Sequence, residues 1–161
     1  MTPARIRLTR WGNATGVWLY RRTGGRLVGP SKGTTIGLLT APGRNTGIPR
    51  TVSVGFHRYG AGYVVAATGS GSRRDPQWFR NLRATAHAEI QIRSTQTHVD
   101  VRVAENGERD ALWNEVILAQ APWRQRYEKK AARIIPVAIL LPSYPGNDEP
   151  HAAGVQDAAD R

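Results

Sequence analysis

The chain has 161 residues, of which 40% are hydrophobic, and its formal net charge is +11 at pH 7. This length suits one domain with its own core and is too short for two. The sequence has no cysteine, which excludes disulfides, thiolate catalysis and cysteine-ligated zinc or iron–sulfur sites. It also has no apolar run long enough to cross a membrane and no recognisable export signal, so we expect a cytoplasmic protein.

The positive charge is concentrated in the first half of the chain, where the first acidic residue is Asp75. Such one-sided charge attracts anionic ligands, and arginine can bind a phosphate or a carboxylate through two N–H groups. We therefore expect a negatively charged ligand. The basic residues before Asp75 are Arg5, Arg7, Arg10, Arg21, Arg22, Arg26, Lys32, Arg44, Arg50, Arg58, Arg73 and Arg74.

Before residue 75, a helix and three strands are predicted from helical spacing, β-branched runs and glycine-bearing turns. Asn13 is the expected cap of the helix, and residues 1–12 before it are expected to be flexible. In chain order the elements are a helix over 13–22, a buried strand over 34–40, and a hairpin with strands over 51–57 and 63–67.

After residue 75, the pattern predicts a helix capped by Asp75, a hairpin, two helices and a closing strand. The predicted turn of that hairpin is 94–96. Past Pro142 the chain has little to bury, so 143–161 is interpreted as a disordered tail. The elements are a helix over 76–84, strands over 89–93 and 97–104, helices over 108–120 and 122–133, and a strand over 134–141.

Six or so mainly antiparallel strands with short helices between them favour an α+β fold. We predict a single domain over 1–142, built around a small antiparallel barrel.

Two glycine-rich basic loops carry the clearest chemical signal. The first follows the strand that ends at Thr40, and it runs through Gly43, Arg44 and Gly47 to Arg50. Glycines let backbone N–H groups approach an oxyanion, and arginines add charge-assisted hydrogen bonds. The second loop covers 68–74. A solvated hairpin loop is the alternative interpretation of the first.

The order of these motifs resembles the deazaflavin-dependent nitroreductase family. The resemblance covers roughly 18–142 and includes a Leu-Leu-Thr strand, Gly-Arg-x-Thr-Gly-x-x-Arg at 43–50, Val-Val-Ala-Ala at 64–67, and Pro-x-Trp-Phe-x-Asn-Leu-x-Ala at 76–84. It implies a split β-barrel, related to flavin-mononucleotide-binding barrels. It also implies an oxidoreductase that binds reduced coenzyme F420 and passes a hydride to a small electron-poor acceptor of the quinone, nitroaromatic or enone class.

The resemblance also implies a set of site residues. Those expected to hold the phosphate and the glutamate tail are Arg44, Asn45, Thr46 and Arg50, with Arg73 and Arg74 from the second loop. Those expected to line the deazaflavin ring are Thr51, Val52, Ser53, Val54, Gly55, Ala66, Ala67, Thr68 and Gly69. Those expected to close the site are Gln77, Trp78, Phe79 and Asn81.

Catalysis is assigned to two hydroxyl groups, with Tyr127 giving a proton to the reduced acceptor and Thr68 donating a hydrogen bond. Ordinary helix packing is the competing interpretation of Tyr127. Family members are rich in tyrosine over 121–127, whereas this chain has Trp123 and Arg124 there, so a quinone is a better expectation than a nitroimidazole.

Other interpretations remain open. A non-catalytic barrel could carry flavin mononucleotide, another flavin, a deazaflavin or haem, and a basic nucleic-acid-binding module could use the same charge, although no recognition motif is present. The four histidines are expected to be solvated or satisfied in the core, and we expect no metal. The basic helix near the N-terminus could rest on anionic lipid. A monomer or a homodimer is expected.

Overall fold

The computed structural model describes residues 17, 18, 20–23 and 33–143. Six antiparallel strands close into a barrel in the order β1-β2-β3-β6-β5-β4, which confirms the predicted fold class. The strands are β1 (Thr35–Pro42), β2 (Pro49–Tyr59), β3 (Gly62–Ala66), β4 (His87–Ile92), β5 (Thr95–Val103) and β6 (Val137–Pro142). The α-helices are α1 (Gln77–Leu82), α2 (Asn106–Ala111) and α3 (Gln125–Ala131).

Strand register places the first basic loop at one end of a long hairpin. Thr35 pairs with Phe56 at one end of β1 and β2, and Pro42 pairs with Pro49 at the other. In the β4–β5 hairpin Ile92 pairs with Thr95, so the turn is Arg93–Ser94 and begins one residue before the predicted 94–96.

The barrel interior and the helical segment after β5 form one hydrophobic core. Side chains alternate across a strand, so Phe56 and Val65 point inward while neighbouring positions of β2 point outward. Leu112 and Ile117 belong to the same buried cluster. Each such side chain stabilises the fold by about 1.5–3 kcal/mol when fully buried.

The predicted helices exist, but their internal geometry differs from the prediction. The helix over 108–120 is observed as α2 continuing into a π-helical stretch, Leu112–Leu118. The helix over 122–133 begins as a 3-10 turn, Pro122–Arg124, before α3. It ends at Ala132, whose φ of 51° is left-handed.

The predicted cap of α1 is wrong. Pro76 precedes the helix without a capping hydrogen bond. The Asp75 carboxylate instead pairs with Arg83 at 3.1 Å and with Arg133 at 3.0 Å. Two guanidinium partners satisfy this carboxylate better than backbone N–H groups would.

The described helical residues near the N-terminus are 17, 18 and 20–23, so the helix reaches at least one residue past the predicted end at 22. Tyr20 is 2% exposed, and its hydroxyl donates to Ile36 O at 3.0 Å and accepts from Arg93 N at 2.9 Å. Trp18 is exposed beneath the Arg22 guanidinium. Within the described part of the chain no helix is long and apolar enough to span a membrane. Lipid contact, cytoplasmic location and subunit number stay predictions.

The predicted ends of the domain fall largely outside the described residues. Ser143, the first residue of the predicted tail, donates its backbone N–H to His98 O at 2.9 Å. Residues 1–12, which were expected to be flexible, and the rest of the predicted tail, 144–161, are not among the described residues. The proposed division at residue 142 therefore stays a prediction.

Candidate functional site

The first basic loop is attached to α1. Arg44 Nη1 donates to Gln77 Oε1 at 2.8 Å and to Asn81 Oδ1 at 3.2 Å. The Arg44 backbone N–H also donates to Asn81 Oδ1, at 3.3 Å. Gln77 and Asn81 are four residues apart and share one face of the helix. Three predicted site residues therefore meet here.

The rest of this loop is a tight turn with exposed side chains. Gly43 N–H donates to Ile48 O at 2.9 Å. Gly47 has a φ of +67°, and no other group lies within 4 Å of where its Cβ would be. Asn45, Thr46 and Arg50 are exposed. Arg44 is partly engaged by amide oxygens, so Arg50 is the cation best placed to meet an anionic ligand.

The outer face of β2 continues from this loop. Thr51, Ser53 and Gly55 lie on that face, because Val52 and Val54 pack against the core. The hydroxyl of Thr51 lies 2.8 Å from that of Thr40 on β1. The predicted ring-lining stretch 52–55 therefore offers a ligand Ser53, because its two valines pack on the core and Arg124 and Thr34 lie against Gly55.

Several other residues that were predicted to contact the ligand are buried in the protein. Ala67 and Phe79 are fully buried, so they have no surface to offer a ligand, and Ala66 has almost none. Thr68 and Trp78 are half-buried. The Trp78 ring meets Phe79 edge-on, with centroids 5.4 Å apart, so Trp78 packs on the core and keeps one part accessible.

Arg133 organises the second basic loop, and the sequence analysis missed it. Its guanidinium donates to Ala67 O at 2.8 Å and to Ser72 O at 3.0 Å, in addition to pairing with Asp75. This loop includes the predicted residues Thr68 and Gly69. Two backbone carbonyl oxygens and one carboxylate converge on this arginine. Such a role cannot be recognised from the sequence before the fold is known.

The same loop borders an open basic cleft of about 590 Å³. Arg73 and Arg74 reach this cleft rather than the outer face of β2. The lining residues are Arg73, Arg74, Asp75, Arg80, Arg83, Arg133, Ile134 and Pro136.

Aromatic and cationic side chains alternate on the segment that ends in α3. Tyr127 is half-buried, and its ring lies edge-on to Trp123, with centroids 5.7 Å apart. The Arg126 guanidinium lies 5.5 Å from the Trp123 centroid and 5.6 Å from that of Tyr127. Arg124 contacts Trp123 as well, at 5.1 Å.

A buried polar cluster lies where this segment covers β2. His57 is fully buried, Arg124 is 7% exposed, and Thr34 is 1% exposed. Both ring nitrogens of His57, Thr34 Oγ1 and Arg124 Nε have no hydrogen-bond partner among the described residues. His57 therefore lies in the core, one of the two positions expected for the histidines, with incomplete hydrogen bonding.

Electrostatics at this cluster disfavour positive charge. Burial, and next the nearby Arg124 guanidinium, lower the pKa of His57 to about 4, while Gln120 opposes that change. Burial also lowers the pKa of Arg124, with Tyr127 opposing. The Gln120 amide is engaged with the Arg58 backbone at 3.0 and 3.2 Å, and it lies near enough to the His57 ring to favour the protonated form as a hydrogen-bond partner.

This arrangement suits the binding of a planar anionic ligand. The outer face of β2 carries hydroxyls and a glycine, an exposed arginine lies at one end, and a buried arginine with aromatic neighbours lies at the other. No group of three or more His, Cys, Asp or Glu residues that could hold a metal occurs in the ranges that the structure describes. The donors are thus cations, hydroxyls and backbone N–H groups.

Comparisons with known proteins agree with this picture. Residues 13–142 match the family model described as F420H(2)-dependent quinone reductase. An F420H(2)-dependent quinone reductase of Mycobacterium tuberculosis is 31% identical over 125 residues, which cover 76% of this chain and 84% of the relative.

Solved structures show the same fold. An F420-H2 dependent reductase, FDR-A, aligns with a TM-score of 0.59 and 26% identity, over 66% of this chain and 93% of that one. A domain-swapped dimer aligns with a TM-score of 0.61 and 24% identity, over 82% of this chain and 98% of that one.

The barrel is the split-barrel fold of these reductases, and the family match spans most of the chain. The chain therefore belongs to the F420H(2)-dependent quinone reductase family, and it is an oxidoreductase whose cofactor is coenzyme F420.

Proposed function

We propose that this protein reduces a quinone, or a nitroaromatic or enone of similar shape, with reduced coenzyme F420 bound on the outer face of β2. The observation that carries the proposal is the arrangement along that face. Exposed Arg50 lies at the start of the strand beside the first basic loop, Ser53 lies on the outer face, and the segment with Trp123, Arg124 and Tyr127 covers the strand at Gly55. The named relatives are quinone reductases, which supports the quinone as acceptor.

The residues fit the charge and shape of the coenzyme. Its phosphate and glutamate tail are anionic, and the chain carries no carboxylate before Asp75 that would repel them. Arg50, the backbone N–H of Asn45 and the Thr46 hydroxyl would bind the phosphate, since the Thr46 N–H already donates to Gly43 O. The small, exposed residue Ser53 leaves room for a flat ring against the strand, which ends where Arg124 and Thr34 cover Gly55.

When bound, the reduced coenzyme supplies a hydride, and the protein supplies orientation and exclusion of water. The acceptor gains two electrons and one hydrogen with that hydride, and a proton completes the reduction. The Tyr127 hydroxyl is proposed to give this proton, and Thr68 to orient an acceptor oxygen. Arg133 acts through Thr68, because it fixes the loop that begins there.

An acceptor panel tests this proposal. Stopped-flow absorbance would follow loss of the reduced coenzyme with menadione, a nitroaromatic and an enone, for wild type and Tyr127→Phe. We expect fast oxidation with menadione, and a Tyr127→Phe variant that loses about 10²-fold in turnover with little change in coenzyme affinity. Normal turnover by the variant would assign the proton to solvent and remove Tyr127 from the proposal.

A further inference from the structure

Resting on the proposed function, we propose that Arg124, together with Thr34 and His57, forms a pocket for the acceptor oxygen that becomes negatively charged during reduction. The contacts proposed above between the protein and coenzyme F420 do not involve this pocket. It is built from residues that the family resemblance did not assign to the site.

The first observation is a buried cation without a counterion. Arg124 is 7% exposed, and Nε has no hydrogen-bond partner among the described residues. None of the ion pairs formed within that part of the chain includes it. An uncompensated buried charge is costly, so such a group is expected to have a ligand.

The second observation is that β2 makes room for this guanidinium. A Cβ at Gly55 would clash with Arg124 Nη2 and with Thr34 Cγ2. The Arg124 guanidinium therefore lies directly over the strand backbone at Gly55, and the Thr34 side chain packs against the same residue. Any other residue at position 55 would displace one of them.

The third observation is that further hydrogen-bonding groups near Arg124 are unused. Thr34 Oγ1 is buried and unpartnered among the described residues, and neither ring nitrogen of His57 has a partner there within hydrogen-bond geometry, with Gln120 the neighbouring polar side chain. A neutral imidazole has one N–H donor, and threonine can donate its hydroxyl. With the guanidinium, three kinds of donor surround one small region and none meets an acceptor, which suits an oxygen that carries negative charge.

Position separates this pocket from the phosphate-binding loop. Arg50 pairs with Ala41, whereas Gly55 pairs with Ile36. Four residues of strand lie between them, so the two positions are five residue steps, or about 17 Å, apart. One phosphate cannot reach both arginines, and Arg124 sits beside Trp123 on the segment proposed to contact the acceptor.

Reduction of a quinone benefits from a cation that stabilises the developing oxyanion. When a quinone accepts a hydride, the hydrogen becomes the O–H of one former carbonyl and the two electrons leave the other oxygen as C–O⁻, while the coenzyme is oxidised by two electrons. The oxyanion then takes a proton from Tyr127 or solvent to give the quinol. A fixed guanidinium stabilises this oxyanion before the proton arrives.

The test uses dye binding to the protein without coenzyme. The probe is 2-hydroxy-1,4-naphthoquinone, which is ionised at neutral pH, and menadione is its neutral counterpart of similar size. Dissociation constants come from tryptophan fluorescence and dye absorbance for wild type, Arg124→Gln, Arg124→Lys and Arg126→Gln. Arg126 is the matched control, since it contacts the same aromatic rings from the exposed side.

We expect wild type to bind the anionic dye more tightly than menadione. Arg124→Gln should weaken the anionic dye about 10–100-fold and leave menadione nearly unchanged, Arg124→Lys should restore part of the loss, and Arg126→Gln should resemble wild type. Circular dichroism and thermal melting show whether each variant folds. If Arg124→Gln does not fold, the lysine variant and the wild-type preference between the two dyes decide the result.

Equal weakening by the Arg124→Gln and Arg126→Gln variants, or no preference of wild type for the anionic dye, would overturn the pocket. Titration with coenzyme F420 identifies the source of the oxygen. If Arg124→Gln weakens the coenzyme as much as the dye, the acceptor assignment is overturned. Dye binding that follows the expectation in a protein unable to reduce any acceptor would support the pocket and defeat the proposed function.

Discussion

Arg50 provides the residue-scale test of the coenzyme site. Its guanidinium is exposed at the start of β2, beside the turn closed by Gly43. We expect Arg50→Ala to weaken coenzyme F420 by about 1.5–3 kcal/mol, through loss of a charge-assisted hydrogen bond. Fluorescence titration measures this. Arg58→Ala is the control, because Arg58 lies on the same strand but bonds to Tyr63; an unchanged affinity in folded Arg50→Ala would exclude Arg50.

His57 gives a residue-scale prediction about pH. Its pKa is lowered from 6.5 to about 4 in the folded protein, chiefly by burial and next by Arg124. Between these values the unfolded chain binds a proton that the folded protein does not, so the free energy of unfolding falls as the pH drops from about 6.5 to about 4. The expected loss approaches about 3 kcal/mol at most.

Urea unfolding across this range, with wild type compared to His57→Gln, isolates the effect from carboxylate titration. As the pH falls, the free energy of unfolding of wild type should decrease more than that of the variant. Exposed His98→Gln is the control and should follow wild type. Parallel curves for wild type and His57→Gln would show that His57 protonates freely in the folded protein.

Arg133 gives the prediction at the scale of elements, because it ties the segment before β6 to the loop after β3. We expect Arg133→Ala to lower the free energy of unfolding by about 1.5–3 kcal/mol, since it leaves the Asp75 carboxylate and backbone carbonyls short of partners. Hydrogen exchange should accelerate over 68–75 and little elsewhere. Exposed Arg126→Ala is the control, and uniform acceleration across the barrel would contradict a local role.

At this scale the strands could be predicted from sequence because alternation and turn residues are local signals. The predicted strand over 34–40 and the observed β1, Thr35–Pro42, differ by one residue at the start. The failures have long-range causes. The Asp75 carboxylate does not cap the helix, because it pairs with Arg83 and Arg133. The π-helical stretch Leu112–Leu118 was missed because its apolar spacing is the same as that of an ordinary helix.

The candidate site was predictable to a similar degree. The motif placed Arg44, Gln77 and Asn81 in one site, and the structure brings their side chains together. The motif could not tell which face of β2 each residue occupies. The buried cation at Arg124 was also beyond the sequence, because nothing local distinguishes a buried arginine from the exposed Arg126 two residues later.

The whole molecule carries a net charge of +11, with all acidic residues after position 74. This charge should accelerate the association of the anionic coenzyme. We expect the association rate constant to fall about tenfold as salt is raised from low concentration to about 0.3 M, with a smaller change in dissociation. Stopped-flow fluorescence at several salt concentrations measures both rates. A salt-independent association rate would show that the charge does not serve coenzyme binding.

The most direct test of the central claim is a single turnover with menadione under anaerobic conditions. The protein would be loaded with coenzyme F420 reduced by hydrogen or by deuterium at the position that donates the hydride, and absorbance followed after mixing. We expect oxidation of the coenzyme that depends on menadione and is slower with deuterium. Tight coenzyme binding with no oxidation by menadione, or by any other acceptor in the panel, would contradict it and identify the protein as a carrier.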